Sequence, residues 1–217
     1  MRNCIDVDAV AKLAKSEALP GLLPDDMTEY LLFVGRLELR KGFDVAIQAF
    51  AGVAEDYPNL HLVLAGGAGD VAREPNPAAW VDSLPTSTKE RIHFLGDVRG
   101  PELYSAMRGS VLVLAPSRWE AFGNVALEAK SAGAALIATR GSGFDDFCND
   151  GVDSLLCAPG DPHELAEAIR RLVGDPALAS KLAHEAEKSV RHFTARKVAA
   201  DLRYEVLARV QAGGTSA

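Results

Sequence analysis

The sequence predicts an α/β protein built on one open, parallel, six-stranded sheet, with helices on both faces and a helical carboxyl terminus. Three observations carry this prediction. Short, continuously apolar runs bounded by turn residues occur six times between residues 30 and 160. Amphipathic segments lie between several of these runs, and after Gly160 the pattern is helical only. This alternation of strand and helix indicates a Rossmann-like, doubly wound sheet.

The six apolar runs have the length and composition of strands buried on both faces. Parallel strands covered by helices show such continuous runs, whereas half-exposed strands alternate apolar and polar residues. In chain order the runs are YLLFVGRL (30–37), HLVLAGG (61–67), RIHFLGD (91–97), VLVLAPS (111–117), ALIATRG (135–141) and SLLCAPG (154–160).

Helical patterns fill the connections and the end of the chain. FDVAIQAFAGVAEDY, PELYSAMRG and GNVALEAKSAG repeat apolar residues at helical spacing. Further on, Asp161 is a predicted N-cap, Pro162 a first-turn proline and Glu164 the capping-box partner, and Asp175 starts another helix similarly. We expect two or three carboxyl-terminal helices that end near Val210.

These patterns divide the chain into three parts. Residues 1–29 are a predicted helical lead-in and linker, residues 30–210 form the sheet domain, and residues 211–217 (QAGGTSA) are a predicted flexible tail. With 217 residues and 48% hydrophobic content, the chain is long enough to build a substantial core without disulfides or metals.

Composition limits the classes of function. The net charge of -7 disfavours broad attraction to nucleic acid or anionic lipid. The three cysteines show no C-x-x-C spacing, so neither a disulfide framework nor a zinc site is indicated. No run approaches the roughly 18 apolar residues of a membrane span, and the first residues lack the apolar region of a signal peptide. We expect no integral membrane segment and a cytoplasmic location, with peripheral contact at the inner membrane face as the alternative.

The turns after the first and fourth predicted strands carry the candidate binding residues. In open α/β sheets, ligands bind beyond the carboxyl ends of the strands, where turns lead into helices. After the first strand, Arg36 and Lys41 flank a turn before a helix that starts near Gly42, and two cations there suit a diphosphate. After the fourth, Gly123 allows close backbone approach, and the amides of residues 122–124 are predicted to face an anion. The alternative for the two cations is a pair of solvated surface charges.

Two glutamates flank the second of these turns. Glu120 lies in the turn and Glu128 about one helical turn beyond the amides, so the carboxylates are predicted to reach different parts of one extended ligand. Carboxylates accept hydrogen bonds from sugar hydroxyls, which suits a ligand with a polyol. We expect both glutamates to be partly exposed. The alternative is two exposed helix-end charges, because glutamates at this spacing are common by chance.

Six segments, taken in order, carry a resemblance that no single motif provides. They are FVGRLELRKGFDVAIQAF, LVLAGG, IHFLGDV, ELYSAM, VLVLAPSRWEAFGNVALEAKSAGAALIATRGSGFDDFCNDGVDSLLCAPGDPHELAEAIRRLVGD and RHFTARKVAADLRYEVL. Between residue 30 and about residue 208 the sequence resembles the carboxyl-terminal domain of the group 1 retaining glycosyltransferases, relatives of glycogen and sucrose synthases. The resemblance implies that the sheet is one half of a GT-B fold.

The resemblance implies a role for each candidate residue. Arg36 and Lys41 would bind the donor diphosphate, Glu120 would hold hydroxyls of the donor sugar, and Glu128 would hold the ribose. Cations and helix amides favour the charge that grows on a departing diphosphate, so neither a metal nor another cofactor is expected. The other implied donor contacts are Val98, near the base, and the backbone of Phe122, Gly123 and Asn124.

The function implied by the resemblance is the binding of a nucleotide-diphosphate sugar for retaining transfer to an acceptor sugar or lipid-linked sugar, in polysaccharide or glycolipid biosynthesis. Family members hold the acceptor on an amino-terminal domain, and RNCIDVDAV resembles the segment that follows it. We therefore expect an excised domain, a truncated product or a subunit of a split enzyme. The alternative is a non-catalytic module that binds nucleotide or a protein partner.

Three stretches depart from the family pattern or compete with it. Where this chain has GSGFDDF, the family usually has a glycine pair, then proline and glutamate. The substituted residues are Ser142, Asp145 and Asp146, and the resemblance gives them no role in sugar recognition. GAGDVA (67–72) matches a dinucleotide-binding spacing, but Pro75 and Pro77 would break the helix it needs. Asp6 and Asp8 form a D-x-D, for which linker charges are the favoured interpretation because no strand precedes them.

Overall fold

The computed structural model describes residues 3–16, 23–24, 27–67 and 76–213, with side chains as far as Tyr204. The strands in this part of the chain are β1 (Tyr30–Val34), β2 (His61–Ala65), β3 (Ile92–Gly96), β4 (Leu112–Ala115), β5 (Leu136–Thr139) and β6 (Leu155–Cys157). The helices are α1 (Val7–Leu13), α2 (Phe43–Val53), α3 (Pro77–Asp82), α4 (Thr86–Lys89), α5 (Pro101–Gly109), α6 (Asn124–Ala132), α7 (Pro162–Val173), α8 (Pro176–Ser189) and α9 (Ala195–Gly213).

The six strands form one parallel sheet in the order β3-β2-β1-β4-β5-β6. The predicted fold class is therefore confirmed. The chain builds outward from β1 to β3 on one side and then crosses back, so that β4 pairs with β1, with Leu32 opposite Val113. The connections after β1 and β4 consequently leave the sheet in different directions, and a crevice opens between them at the carboxyl ends of the strands.

The strands are shorter than the apolar runs that predicted them, because each run includes the turn that follows its strand. The first run ends as a strand at Val34, where Gly35 begins the turn with a φ of 151°. The third run also differs in burial, since Phe94 of β3 is 42% exposed. β3 is the edge of the sheet, and its outer face is only partly covered in the described structure.

Two apolar layers cover opposite faces of the sheet. Successive side chains of a strand point to opposite faces, so Leu31 and Phe33 enter one layer while Leu32 enters the other. The first layer contains α2, α7 and α8, and the second contains α1, α5 and α6. The predicted helices on both faces are therefore present, and the lead-in helix α1 contributes Val7 and Val10 to the second layer.

The helix caps follow the sequence signals with one correction. Asp161 accepts hydrogen bonds from the backbone N–H groups of His163 and Glu164, each at 2.9 Å, and Asp175 caps α8 in the same manner. The predicted capping-box bond of Glu164 is not formed. Its carboxylate instead accepts the Ala158 N–H at 2.8 Å and pairs with a guanidinium, which ties the turn after β6 to α7.

The described residues also bear on other expectations. Asp6 is the N-cap of α1 and Asp8 pairs with Arg191, so the D-x-D starts a helix. The GAGDVA stretch lies outside the described residues after Gly67, and Pro77 is the first residue of α3. α9 continues to residue 213, three residues into the stretch expected to be a tail. Within the described ranges, no helix combines the length and hydropathy needed to cross a bilayer.

Candidate functional site

The crevice at the switch point is formed by two turns in direct contact. The turn after β1 is followed by Gly42, and the turn after β4 begins at Pro116. A Cβ atom on Gly42 would lie 2.0 Å from the Pro116 carbonyl oxygen, so only glycine permits this approach. The Arg118 N–H donates to the Arg40 carbonyl at 2.8 Å and joins the two turns through their backbones. The predicted binding residues of both turns therefore belong to one place.

The turn after β1 holds its two predicted cations differently. The ammonium of Lys41 reaches across the crevice and forms an ion pair with Glu120. The Arg36 side chain is 62% exposed and its guanidinium lies 2.5 Å from a carboxylate oxygen of Glu38. Glu38 is buried, and its other oxygen lies 3.4 Å from the Arg40 guanidinium. Sequence reasoning passed over Glu38, although its place between basic residues in RLELRK was a signal for such a pairing.

Glu120 is buried in the free protein, which corrects the expectation that it is partly exposed. It is 8% exposed and accepts hydrogen bonds from Lys41 and, at 3.1 Å, from the Ser117 hydroxyl. The carbonyl of Ser117 in turn accepts the Thr139 hydroxyl at 2.7 Å, which anchors this turn to the end of β5. The Glu120 carbonyl also accepts the Gly143 N–H at 3.0 Å, so the turn packs against the segment that follows β5. A carboxylate there is buried next to its cation, and the sequence spacing gave no sign of it.

The turn before α6 leaves the start of this helix without a side-chain cap. Gly123 is the N-cap, with a left-handed φ of 92°, and it supplies no capping side chain to the first amides of α6. A Cβ at this position would lie 2.2 Å from the ring of Phe144. Phe122 is buried and stacks on Phe147 with 5.0 Å between ring centroids. Packing therefore holds the backbone of the turn against the sheet, with its first amides free of a side-chain cap.

Glu128 lies one turn further along α6 and is half-buried, as expected. Burial raises the pKa of this carboxyl above its ordinary value. The pKa of Tyr104 on the neighbouring helix α5 is also raised, first by burial and then by the charge of Glu128. Glu120 and Glu128, both in the described part of the chain, form no hydrogen bond with each other. The two carboxylates thus occupy separate surroundings, one beside a cation and one beside a phenol.

The remaining predicted residues lie at the margins of the crevice. Asn124, the first residue of α6, is exposed and its side-chain oxygen accepts a hydrogen bond from the Asn3 amide at 2.8 Å. Val98 follows β3 and packs, half-buried, on the edge of the second apolar layer. It therefore sits two strands away from the Lys41–Glu120 pair.

A second ion pair, missed by sequence reasoning, fastens the two turns together. The Arg118 guanidinium donates two parallel hydrogen bonds, of 2.7 and 2.6 Å, to the carboxylate of Asp44 in α2. Asp44 is 2% exposed, and the bidentate pair raises the pKa of Arg118. A fork of this kind fixes direction as well as distance. The Lys41–Glu120 pair thus lies on a frame held from both sides.

Metal ligands are not clustered in this part of the molecule. Over the described ranges, no group of three or more His, Cys, Asp or Glu side chains is placed to hold a metal ion. The two histidines that do meet, His61 and His93, have ring nitrogens 3.0 Å apart. They lie at the starts of β2 and β3, at the opposite end of the sheet from the crevice.

The fold and the site together define a class of protein. It is an open α/β domain that has paired charges and an uncapped helix start at the switch point of its sheet. The family described as "Glycosyl transferases group 1" matches residues 15–189. The chain belongs to this glycosyltransferase family, which confirms the resemblance seen in the motifs.

Curated relatives agree with this assignment. The chain is 33% identical over 162 residues to glycogen synthase from Mycobacterium tuberculosis, a match that covers 73% of this chain and 37% of that protein. It is 32% identical over 183 residues to D-inositol 3-phosphate glycosyltransferase from Thermobifida fusca, covering 79% and 41%. The chain therefore spans about two fifths of the length of these relatives.

Solved structures confirm the fold. The C-terminal domain of a group 1 family glycosyl transferase (LpcC) from Francisella tularensis superposes with a TM-score of 0.70 at 22% identity, covering 86% of this chain and 96% of that one. Sucrose-phosphate synthase from Thermosynechococcus elongatus gives 0.68 at 27% identity, covering 98% and 50%. Anabaena HepE, in a complex with UDP-glucose, gives 0.73 at 24% identity, covering 93% and 53%.

Proposed function

We propose that this chain is the donor-binding domain of a retaining glycosyltransferase and that it binds a nucleotide-diphosphate sugar in the crevice between the turns after β1 and β4. The observation that carries the proposal is the Lys41–Glu120 pair beside the uncapped start of α6. A cation, helix amides and a carboxylate at one point suit a ligand that has a diphosphate on one side and sugar hydroxyls on the other. We place the acceptor on a domain or subunit beyond these residues.

The charges of the crevice fit the departure of a nucleoside diphosphate. Negative charge grows on the diphosphate as its bond to the sugar breaks, and fixed cations and amides stabilise that state more than the ground state. Lys41 is held by Glu120 on the side of the crevice that leads into α6, and it exchanges this carboxylate for a phosphate when the ligand binds. Arg36 supplies the second charge by exchanging Glu38 for a phosphate, and the buried Glu38 carboxylate then keeps the Arg40 guanidinium as its partner.

Glu120 is proposed to take the transferred sugar. In the free protein its charge is balanced by Lys41 and its position is held by Ser117. When Lys41 turns to a phosphate, the carboxylate gains the hydroxyls of the sugar as new donors. Glu128, on the other side of the helix start, is proposed to accept the hydroxyls of the ribose, and Val98 to contact the base.

Thermal unfolding in the presence of UDP-, GDP-, ADP- and TDP-sugars tests the proposal. Ligands that bind only the folded state raise the unfolding midpoint by mass action. We expect at least one of the four classes to raise it, and the corresponding nucleoside diphosphate to do so as well. If none of them changes the midpoint at millimolar concentration, the chain is not a donor-binding domain and a module for a protein partner becomes the better assignment.

The two glutamates are expected to differ in what they bind. Glu128→Gln should weaken the nucleoside diphosphate and the sugar donor alike, by about 1.5 kcal/mol or tenfold, because both ligands carry the ribose. Glu120→Gln should weaken only the sugar donor. Calorimetric titration of both ligands against both variants gives four affinities. Equal losses in all four would contradict the division of roles.

Stability and pH give a control for these variants. Because burial raises the folded-state pKa of Glu128, its ionisation costs stability as the pH rises through the unfolded and then the folded value. Glu128→Gln should therefore be slightly more stable than the wild type at neutral pH, although it binds less well. Wild-type affinity should fall on acidification more steeply than that of the variant, since protonation removes the negative charge that strengthens the hydrogen bond from the ribose. Comparing the two proteins cancels the titration of the ligand phosphates.

Binding of the donor is proposed to need no metal ion. Lys41, Arg36 and the amides of α6 supply the positive charge in this proposal, so the affinity for a nucleoside diphosphate should change less than threefold in excess chelator. Calorimetric titration with EDTA, and again with added magnesium or manganese, checks this. Binding that disappears with chelator and returns with the metal would mean that a metal ion, and not Lys41 and Arg36, neutralises the diphosphate.

A further inference from the structure

A lysine is completely buried in the middle of the proposed donor domain. Lys130 of α6 is 0% exposed, and its ammonium lies 2.9 Å from a carboxylate oxygen of Asp153, which is 1% exposed. The same ammonium donates to the Phe147 carbonyl at 2.6 Å and lies 3.4 Å from the Ser189 hydroxyl. A buried ion pair adds little net stability, because desolvation offsets the attraction between its charges. Its position is therefore the informative feature.

Asp153 is the other half of this buried contact and shapes the loop before β6. Its carboxylate accepts the backbone N–H of Asn149 at 2.8 Å, the Asn149 side-chain amide at 3.1 Å and the Ser154 hydroxyl at 3.2 Å. Burial alone would raise its pKa, but these hydrogen bonds and the Lys130 ammonium outweigh burial and hold the pKa below its ordinary value. The Asp153 carboxyl is thus ionised at neutral pH, and the geometry of the pair is fixed by directed bonds.

The segment held by this pair is the floor of the anion-binding turn. Residues 143–147 follow β5, and the carbonyl held by Lys130 is their last one. The Gly143 N–H donates to the Glu120 carbonyl at 3.0 Å, and the ring of Phe144 fills the space where Gly123 has no side chain. Phe147 stacks on Phe122, as described above. Each residue of the turn between Glu120 and α6 therefore lies on, or next to, the segment that Lys130 holds.

We infer that Lys130 and Asp153 are positioning residues for the donor site. By holding residues 143–147 against the turn at 120–124, they fix the backbone amides and the Glu120 carboxylate relative to α6, the helix that also carries Glu128. Lys130 thus acts on the ligand through the floor of the site and does not touch it. The consequence for ligand binding rests on the proposed function, whereas the consequence for the backbone of the turn does not.

Removal of both charges tests this inference. The double variant K130M/D153N keeps the volumes and leaves an acceptor oxygen for Asn149, but it releases the Phe147 carbonyl. Amide hydrogen exchange, resolved by residue in the ligand-free protein, should be accelerated about tenfold or more at Gly143, whose N–H donates to the Glu120 carbonyl, and at Ala126, whose N–H donates to the Gly123 carbonyl. The affinity for whichever of UDP, GDP, ADP and TDP binds the wild type should fall by about tenfold, since a small displacement of a binding group is enough for this.

Two further variants separate positioning from general loss of stability. Leu172→Ala removes a fully buried side chain from the first apolar layer, on the far face of the sheet, so it should lower stability without a selective effect on the amides of Gly143 and Ala126. Phe144→Leu keeps both charges and should reproduce the faster exchange at Ala126, because it removes the ring beneath Gly123, whose carbonyl accepts the Ala126 N–H. This variant also tests the contact chain if K130M/D153N does not fold.

The outcomes are distinguishable. Unchanged exchange at Gly143 and Ala126 in K130M/D153N, unchanged exchange at Ala126 in Phe144→Leu, or an equal change in Leu172→Ala would overturn the positioning role. If the wild type binds none of the four nucleoside diphosphates, the proposed function fails, but the exchange comparison still decides whether Lys130 positions the turn.

Discussion

Replacement of Gly42 by alanine is expected to lower the free energy of unfolding by about 3 to 5 kcal/mol. The residue has a left-handed φ of 77°, and an added Cβ would lie 2.0 Å from the carbonyl oxygen of Pro116. The conformational cost and the displacement of a backbone atom therefore add. Urea unfolding followed by circular dichroism measures the loss, and the slope with denaturant shows whether the transition remains two-state.

A matched glycine separates the two contributions. Gly151 has a similar φ of 70°, but a Cβ there would meet no atom within 4 Å. Gly151→Ala should therefore cost only the conformational part, about 1 to 2 kcal/mol. If both variants lose the same amount, the close approach of the β1 turn to the end of β4 does not matter for stability, and the frame proposed for the crevice is weaker than the structure indicates.

Replacement of Lys41 by methionine is expected to weaken nucleoside diphosphate binding by about 100-fold, roughly 3 kcal/mol. The ammonium is the one predicted donor-binding cation of this crevice that the structure holds against another predicted site residue, Glu120. The substitution removes the positive charge that is proposed to contact the diphosphate. It also leaves the buried Glu120 carboxylate without its cation. Calorimetric titration with the nucleoside diphosphate identified by thermal shift measures the effect.

Lys188→Met is the matched control, because it removes the same charge from an exposed ion pair with Glu185. We expect its affinity to lie within twofold of the wild type, since a distant exposed charge is screened by salt. An equal loss in both variants would mean that net charge, rather than position, controls binding. If Lys41→Met binds the nucleoside diphosphate as tightly as the wild type does, Lys41 is not part of the binding site.

The two kinds of variant address different levels of the same arrangement. Gly42 permits the turns after β1 and β4 to touch, Lys41 and Glu120 place opposite charges across that contact, and Lys130 holds the floor beneath it. Loss of stability from Gly42→Ala together with retained binding in the remaining folded protein would show that the charges, and not the tightness of the turn, dominate recognition. Loss of binding in the Gly42→Ala protein that remains folded would show that the backbone of the turn contributes more to recognition than the charges do.

The sequence by itself determined the fold class and the family of this protein. Six continuous apolar runs, with helical patterns between and after them, predicted the parallel sheet because burial on both faces imposes a local and readable pattern. The N-caps Asp161 and Asp175 were also readable, since a cap involves residues only two or three positions apart. Arg36, Lys41, Glu120 and residues 122–124 were found in the same way, from their places in the turns after predicted strands, whereas Val98 came from the family resemblance.

Only the tertiary structure decided which of these residues meet. Lys41 and Glu120 are 79 positions apart, and they pair because β4 lies next to β1 in the sheet, an order that no local pattern encodes. Glu120 was expected to be partly exposed, but its turn packs against Thr139 and Gly143 and buries it beside its cation. In the sequence, Lys130 is one lysine in a helical pattern, and only the fold places Asp153 against it. Periodicity records burial along one element, whereas the pairing of charges depends on the packing of elements that are distant in the chain.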